Sequence, residues 1–102
     1  MALSGKQKSY LRSHAHNLSP IIQVGKGSVT HNLVDTVTNA LEARELIKLS
    51  VLQNCLNEPS EVAEAIANLS KAEIVQVIGR TIIMFKRSSN LKNRELSKNL
   101  PK

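Results

Sequence analysis

Between the apolar run Ile21-Ile22-Gln23-Val24 and a stretch of helical spacing, the chain carries Gly25-Lys26-Gly27-Ser28. Glycine puts no side chain between the backbone and a ligand. A helix start exposes free amides and the positive end of its dipole, and Lys26 adds a full charge beside them. These residue types in this order suit a phosphate. They equally suit a plain strand-to-helix turn, so the motif alone leaves both readings open. It is neither the GxxxxGK[ST] P-loop nor the dinucleotide fingerprint GxGxxG.

Other chemistry has less to stand on. His14, His16, His31 and Cys55 are the soft metal ligands of the chain, and their spacings fit no zinc pattern, so neither metal nor cofactor is expected. No Ser-His-Asp or Cys-His arrangement is legible, no catalytic residue is assigned, and an enzyme is not expected. Tyr10 and Phe85 are the only aromatics, which argues against a nucleic-acid reader built on stacked bases. Phe85 is expected in the core. Tyr10, among Lys6, Lys8 and Arg12, is placed to touch a ribose or a base.

The formal charge of +6 is unevenly spread along the 102 residues. Residues 1–34 hold Lys6, Lys8, Arg12 and Lys26 and no acid. Residues 35–73 hold Asp35, Glu42, Glu45, Glu58, Glu61, Glu64 and Glu73 against Arg44, Lys48 and Lys71. After residue 73 the bases Arg80, Lys86, Arg87, Lys92, Arg94, Lys98 and Lys102 face Glu95 alone. A chain basic at both ends and acidic in the middle folds into a basic face for polyanions if its ends meet. The acids are expected on solvated helix exteriors. Cys55 has no partner for an internal disulfide, and no signal-peptide core follows Met1, so a reducing, cytoplasmic setting is expected. The longest apolar run, Ile82 to Phe85, is too short to cross a membrane, and no membrane partner is expected.

The elements that must position the glycine motif can be read from spacing. Ser4 and Gln7 form a capping box that starts a helix running to about His16, with Leu11 and Ala15 inward. Ile21 to Val24 reads as a strand. Thr30 caps a second helix whose apolar face is Leu33, Val34, Val37, Ala40 and Leu41. Leu46 to Leu52 alternates as a strand. Pro59 opens a third helix with Val62, Ala65, Ile66 and Leu69 inward. Ile74–Ile78 and Thr81–Lys86 flank Gly79-Arg80, a two-residue loop that suits a type II′ hairpin. The order α-β-α-β-α-β-β predicts one α+β domain, a four-stranded mixed sheet with helices packed on it. Residues 89–102 read as a basic, flexible tail, helical at most in part.

Three stretches, "LSGKQKSYLRSHAHNLSPIIQVGKGSVT", "ALEARELIKLSV" and "VQVIGRTIIMFKRS", resemble the CRM domain family (chloroplast RNA splicing and ribosome maturation) in its stand-alone bacterial, YhbY-like form. The resemblance spans about residues 2–88, and the expected domain is 1–88. It implies a fold similar to the C-terminal domain of translation initiation factor three, a GxxG loop like that of KH domains, and RNA binding on precursors of the large ribosomal subunit. Carried over by position, the loop is Gly25-Lys26-Gly27-Ser28. The second glycine of GxxG is expected where Ser28 stands. If that position needs a positive φ, the loop must adjust.

The expectation is therefore an RNA-binding protein that assists ribosome assembly. Gly25, Lys26, Gly27 and Ser28 would hold phosphates, Lys6, Lys8 and Arg12 would extend the basic face, and Arg80, Lys86 and Arg87 would add diffuse attraction. The expected partners are large-subunit ribosomal RNA in pre-ribosomal particles, and ribosomal proteins; a monomer is the default. The alternative is a protein-interaction module that docks basic ribosomal proteins through the acidic middle segment.

Overall fold

Leu46–Val51, β2, is flanked on both sides by other strands, and its apolar residues Leu46, Ile47, Leu49 and Val51 are buried under helices on the two faces. The computed structural model describes residues 3–102; Met1 and Ala2, at the start of the expected domain, lie outside the described residues. Around β2 the chain lays down α1 (Gly5–Ala15), β1 (Ile22–Val24), α2 (His31–Arg44), α3 (Pro59–Ser70), β3 (Glu73–Ile78) and β4 (Thr81–Phe85). The sheet order is β1-β2-β4-β3, with β1 parallel to β2 and the other pairs antiparallel. This is the expected α-β-α-β-α-β-β order and the expected mixed sheet of four strands.

Alternation along the strands divides the core in two. Ile47, Leu49 and Val51 of β2 and Ile82 and Met84 of β4 face α2 and α3, where they meet Val37, Leu41, Val62 and Ile66. Leu46, Ile83 and Phe85 point the other way, with Val75 of β3, and are covered by Leu11 and Ala15 of α1. The caps form as the sequence predicts: Ser4 N donates to Gln7 Oε1 at 2.9 Å and Gln7 N to Ser4 Oγ at 3.1 Å, and Thr30 Oγ1 accepts from Leu33 N at 3.1 Å. In α3 the inward arc is Pro59, Val62, Ala63, Ile66 and Ser70, not the predicted one through Leu69, which is 63% exposed. A proline at the first turn fixes where the helix starts but not its rotation about its axis, and α3 turns its smaller residues to the sheet.

Gly79 takes the positive φ of +55 required at the first position of a II′ loop. A β-bulge in β3 between Ile74 and Gln76 lets Val75 drop under α1. Beyond β4 the chain makes a 3₁₀ turn, Leu91–Asn93, and α4, Glu95–Lys98. The segment read from sequence as a basic tail thus carries short elements of its own. Leu96 and Leu100 pack beside Leu11 and Phe85, and Gln7 Nε2 donates to Pro101 O at 2.9 Å.

The segment is tied down by two acids. Glu45, just past α2, is fully buried; its carboxylate accepts from Ser88 N at 2.7 Å, Ser97 N at 3.1 Å and Ser97 Oγ at 2.7 Å. Glu42, one turn back, accepts through Oε1 from Ser88 Oγ, Ser89 N, Ser89 Oγ and Asn90 N. These two glutamates are not members of a solvated exterior. A chain reversal after β4 leaves its amides without ladder partners, and the carboxylates supply acceptors for them.

Candidate nucleic-acid interface

The glycine motif folds as a tight turn. Ser28 N donates to Gly25 O at 2.9 Å, which leaves Lys26 and Gly27 exposed at the tip. Ser28 has a φ of +54, so the serine adopts the left-handed conformation that a glycine would take freely. Neither loop glycine has a positive φ, and a Cβ at Gly25 or Gly27 would meet its nearest neighbour at 3.8 or 3.4 Å. Their absence of a side chain is therefore not demanded by the fold. Gly27 and Ser28 open onto a groove that they line together with Val29, Asn57, Glu61 and Ala65. The first turn of α2 contains no acid, and the one carboxylate lining that groove is Glu61 of α3.

The turn is anchored rather than loose. Leu52 N donates to Val24 O at 2.9 Å, and Arg80 reaches across with Nε to Val51 O at 2.9 Å and Nη2 to Leu52 O at 2.8 Å. Val51 N in turn donates to Arg80 O at 2.7 Å. The glycine turn, the segment after β2 and the β3–β4 hairpin thus share one end of the sheet, with Arg80 as the tie between them.

Of the other residues expected to touch a ligand, the structure brings only Arg80 to this end, and its guanidinium is engaged with two carbonyls. Lys86 lies beyond the far end of β4, about 20 Å away at strand rise. Its ammonium donates to Ser70 O at 2.9 Å, on the negative end of the α3 dipole. Arg87 is exposed at that far end, beside Arg94 and Lys98 in a groove of about 300 Å³. Lys6 and Arg12 are exposed on α1, whereas Lys8 is half-buried in a groove it shares with Glu64 and Glu73. The cations therefore fall in three places and not on one patch. Tyr10 leans on His14, ring centroids 4.5 Å apart, and packs with the α1 core. Among the described residues no cluster of His, Cys, Asp and Glu could hold a metal ion, and no helix is long and apolar enough to cross a membrane.

The chain as a whole is similar to known proteins. The model of the CRS1/YhbY (CRM) domain matches residues 3–86. The chain belongs to this family. YqeI of Bacillus subtilis, described as a probable RNA-binding protein, is 54% identical over 94 residues, 92% of this chain and 98% of that one. An RNA-binding protein of Haemophilus influenzae is 33% identical over 90 residues, 88% of this chain and 91% of its own. The solution structure of SAV1595 from Staphylococcus aureus, a candidate RNA-binding protein, superposes with a TM-score of 0.77 at 45% identity. It covers 97% of this chain and 99% of that one. The family match thus extends over α1, the glycine turn and the hairpin together.

Sequence reasoning missed Glu42 and Glu45 as structural acceptors, and Arg80 and Lys86 as donors to carbonyls. For Glu45 the signal available was weak: a single acid between a helix and a strand, followed at a distance of 43 residues by a Ser-Ser pair.

Proposed function

We propose that this CRM-family protein binds the RNA of the large ribosomal subunit or its precursors and assists ribosome assembly, binding its partner without transforming it. The observation that carries the reading is the turn Gly25–Ser28: an exposed lysine and open glycines stand before the start of α2, anchored to the sheet through Leu52 and Arg80. A phosphate seated there meets backbone amides, the helix dipole and the Lys26 charge, with no side chain in the way. Lys6 and Arg12 on α1 add attraction that depends on distance and salt. Lys8, Arg80 and Lys86 contribute less, because each already faces a carboxylate or a carbonyl.

The test is binding to large-subunit RNA fragments over a salt series, for wild type and for Lys26→Glu with Gly27→Ala. With about 4 phosphates held, log affinity falls against log salt with a slope of roughly −3. The variant is expected to bind more weakly with a shallower slope. Unchanged affinity and slope would reduce the motif to a turn. The protein-docking alternative has lost part of its basis, since Glu42 and Glu45 face the chain's own amides. It would regain it if reversing Glu58, Glu61 and Glu64 impaired ribosomal association more than reversing Lys6 and Lys26.

A further inference from the structure

The face of the sheet turned toward α1 is covered at one end only. Residues directly opposite on neighbouring strands share a face, so Gln23↔Ser50, Ser50↔Thr81 and Thr81↔Ile78 form one row across all four strands. α1 packs on Leu46, Val75, Ile83 and Phe85, toward the other end. In the row, Gln23 and Ile78 are exposed, Ile78 to 56%, and Ser50 and Thr81 are half-exposed. Among the described residues, none is hydrogen-bonded to the side chain of Gln23, Ser50 or Thr81. The next row places Lys48 and Gln76 on either side of Ile83. Neither row contains an acid.

A strip meant to be covered by the chain's own helix would be apolar, as Leu46, Val75, Ile83 and Phe85 under α1 are. Here it carries an amide and two hydroxyls, each both donor and acceptor, beside one aliphatic contact; Lys48 in the next row donates to Leu18 O at 3.0 Å. That set matches ribose hydroxyls and base edges, which phosphate-binding groups do not read. The row is about 14 Å long, and it adjoins the glycine turn: Gln23 precedes Gly25 by two positions and Thr81 follows Arg80. With duplex RNA the base edges are turned inward, whereas an unpaired strand can lay them on a sheet.

We infer that Gln23, Ser50, Thr81 and Ile78 form a second RNA contact, which takes an unpaired stretch adjoining the phosphates at Gly25–Ser28 and reads its 2′-hydroxyls and base edges. The inference rests on the RNA-binding reading above. It supplies sequence discrimination to a protein whose aromatics cannot.

The test compares wild type, Gln23→Ala with Thr81→Val, and Lys26→Glu on a panel of unpaired and fully paired RNA oligonucleotides, with deoxy substitutions in the unpaired ones. The double variant removes no charge, so its salt slope should equal that of wild type while its affinity for unpaired RNA falls roughly tenfold. Deoxy substitution should weaken wild type and leave the double variant unaffected. Should the double variant match wild type on unpaired RNA while Lys26→Glu binds weakly with a shallow slope, the sheet contact is wrong and the phosphate turn stands. If neither variant matters, both readings fail. Equal preference of wild type for paired RNA also overturns the inference. Should the double variant fail to fold, nuclear magnetic resonance on wild type decides: the Gln23 side-chain amide and the Thr81 and Ile78 methyl signals must move when unpaired RNA is added, and unmoved signals refute the contact.

Discussion

The hydroxyl of Ser97 donates to the buried carboxylate of Glu45 at 2.7 Å, across 52 residues of sequence. Through it the last helix is fastened to the junction of α2 and β2, the same junction where Lys86 N donates to Glu45 O at 2.9 Å. The carboxylate has no basic partner described within ion-pair distance; it is held by amide and hydroxyl donors.

Removing that carboxylate should therefore be costly. Glu45→Ala strands the buried Ser88 and Ser97 amides and is expected to destabilise by about 3 kcal/mol, whereas Ser97→Ala should cost about 1 kcal/mol. Glu45 also has a φ of +65. Glu45→Gly, which relieves that strain, should be more stable than Glu45→Ala by about 1 kcal/mol. Urea unfolding of the three variants gives the order, and Glu45→Gly no better than Glu45→Ala would remove the strain from the account.

Glu42 makes the stability of the segment depend on pH. Hydrogen bonds from the Ser89 and Ser88 side chains, helped by the Ser89 and Asn90 amides and opposed by desolvation, hold its carboxyl at about 2 in place of 4.5. A depressed folded-state pKa means stabilisation that is complete above the unfolded value and is lost as pH falls through the folded one. The Tm advantage of wild type over Glu42→Gln should accordingly be constant near neutrality and shrink between pH 4.5 and 2. A constant difference down to pH 2 would sink this assignment.

The glycine turn separates stability from binding. Ser28→Gly removes the cost of a positive φ and should stabilise the fold by about 1 kcal/mol. Gly25→Ala is expected to leave stability within about 1 kcal/mol, since its Cβ would make an ordinary contact with Leu52. If the turn seats a phosphate, Gly25→Ala nevertheless weakens RNA binding. Thermal melts and filter binding on the same preparations settle both halves.

Arg80 and Lys86 are expected to matter to the fold first. Arg80→Ala loses two bonds to the Val51 and Leu52 carbonyls and should destabilise by about 2 kcal/mol. Lys86→Met, which removes a charge from the end of α3, should cost about 0.5–1 kcal/mol. Its RNA affinity at constant folded fraction should be close to that of wild type, and a tenfold loss there would return Lys86 to the binding surface.

Local chemistry was enough to write most of this fold in advance. The Ser4–Gln7 box, Thr30 before an apolar helical face, and Gly79-Arg80 between β-rich runs each act within a few residues, so the sequence alone determined the element order and the hairpin. The turn at Gly25–Ser28 was equally legible, since its glycines and lysine are neighbours in the chain.

The tertiary structure decided what depends on partners far along the chain. Whether Arg80 and Lys86 are free cations or donors to carbonyls, and whether Glu45 is solvated or buried, is set by contacts spanning 16 to 52 residues. The rotation of α3, which leaves Leu69 outside, was settled by packing against the sheet and not by the spacing of its apolar residues. The polar row from Gln23 to Ile78 exists only because register aligns four strands that are distant in sequence, with α1 stopping short of it. Spacing within one strand gives the face a residue shares with its neighbours; what lies opposite, and what covers it, are fixed only when the sheet assembles.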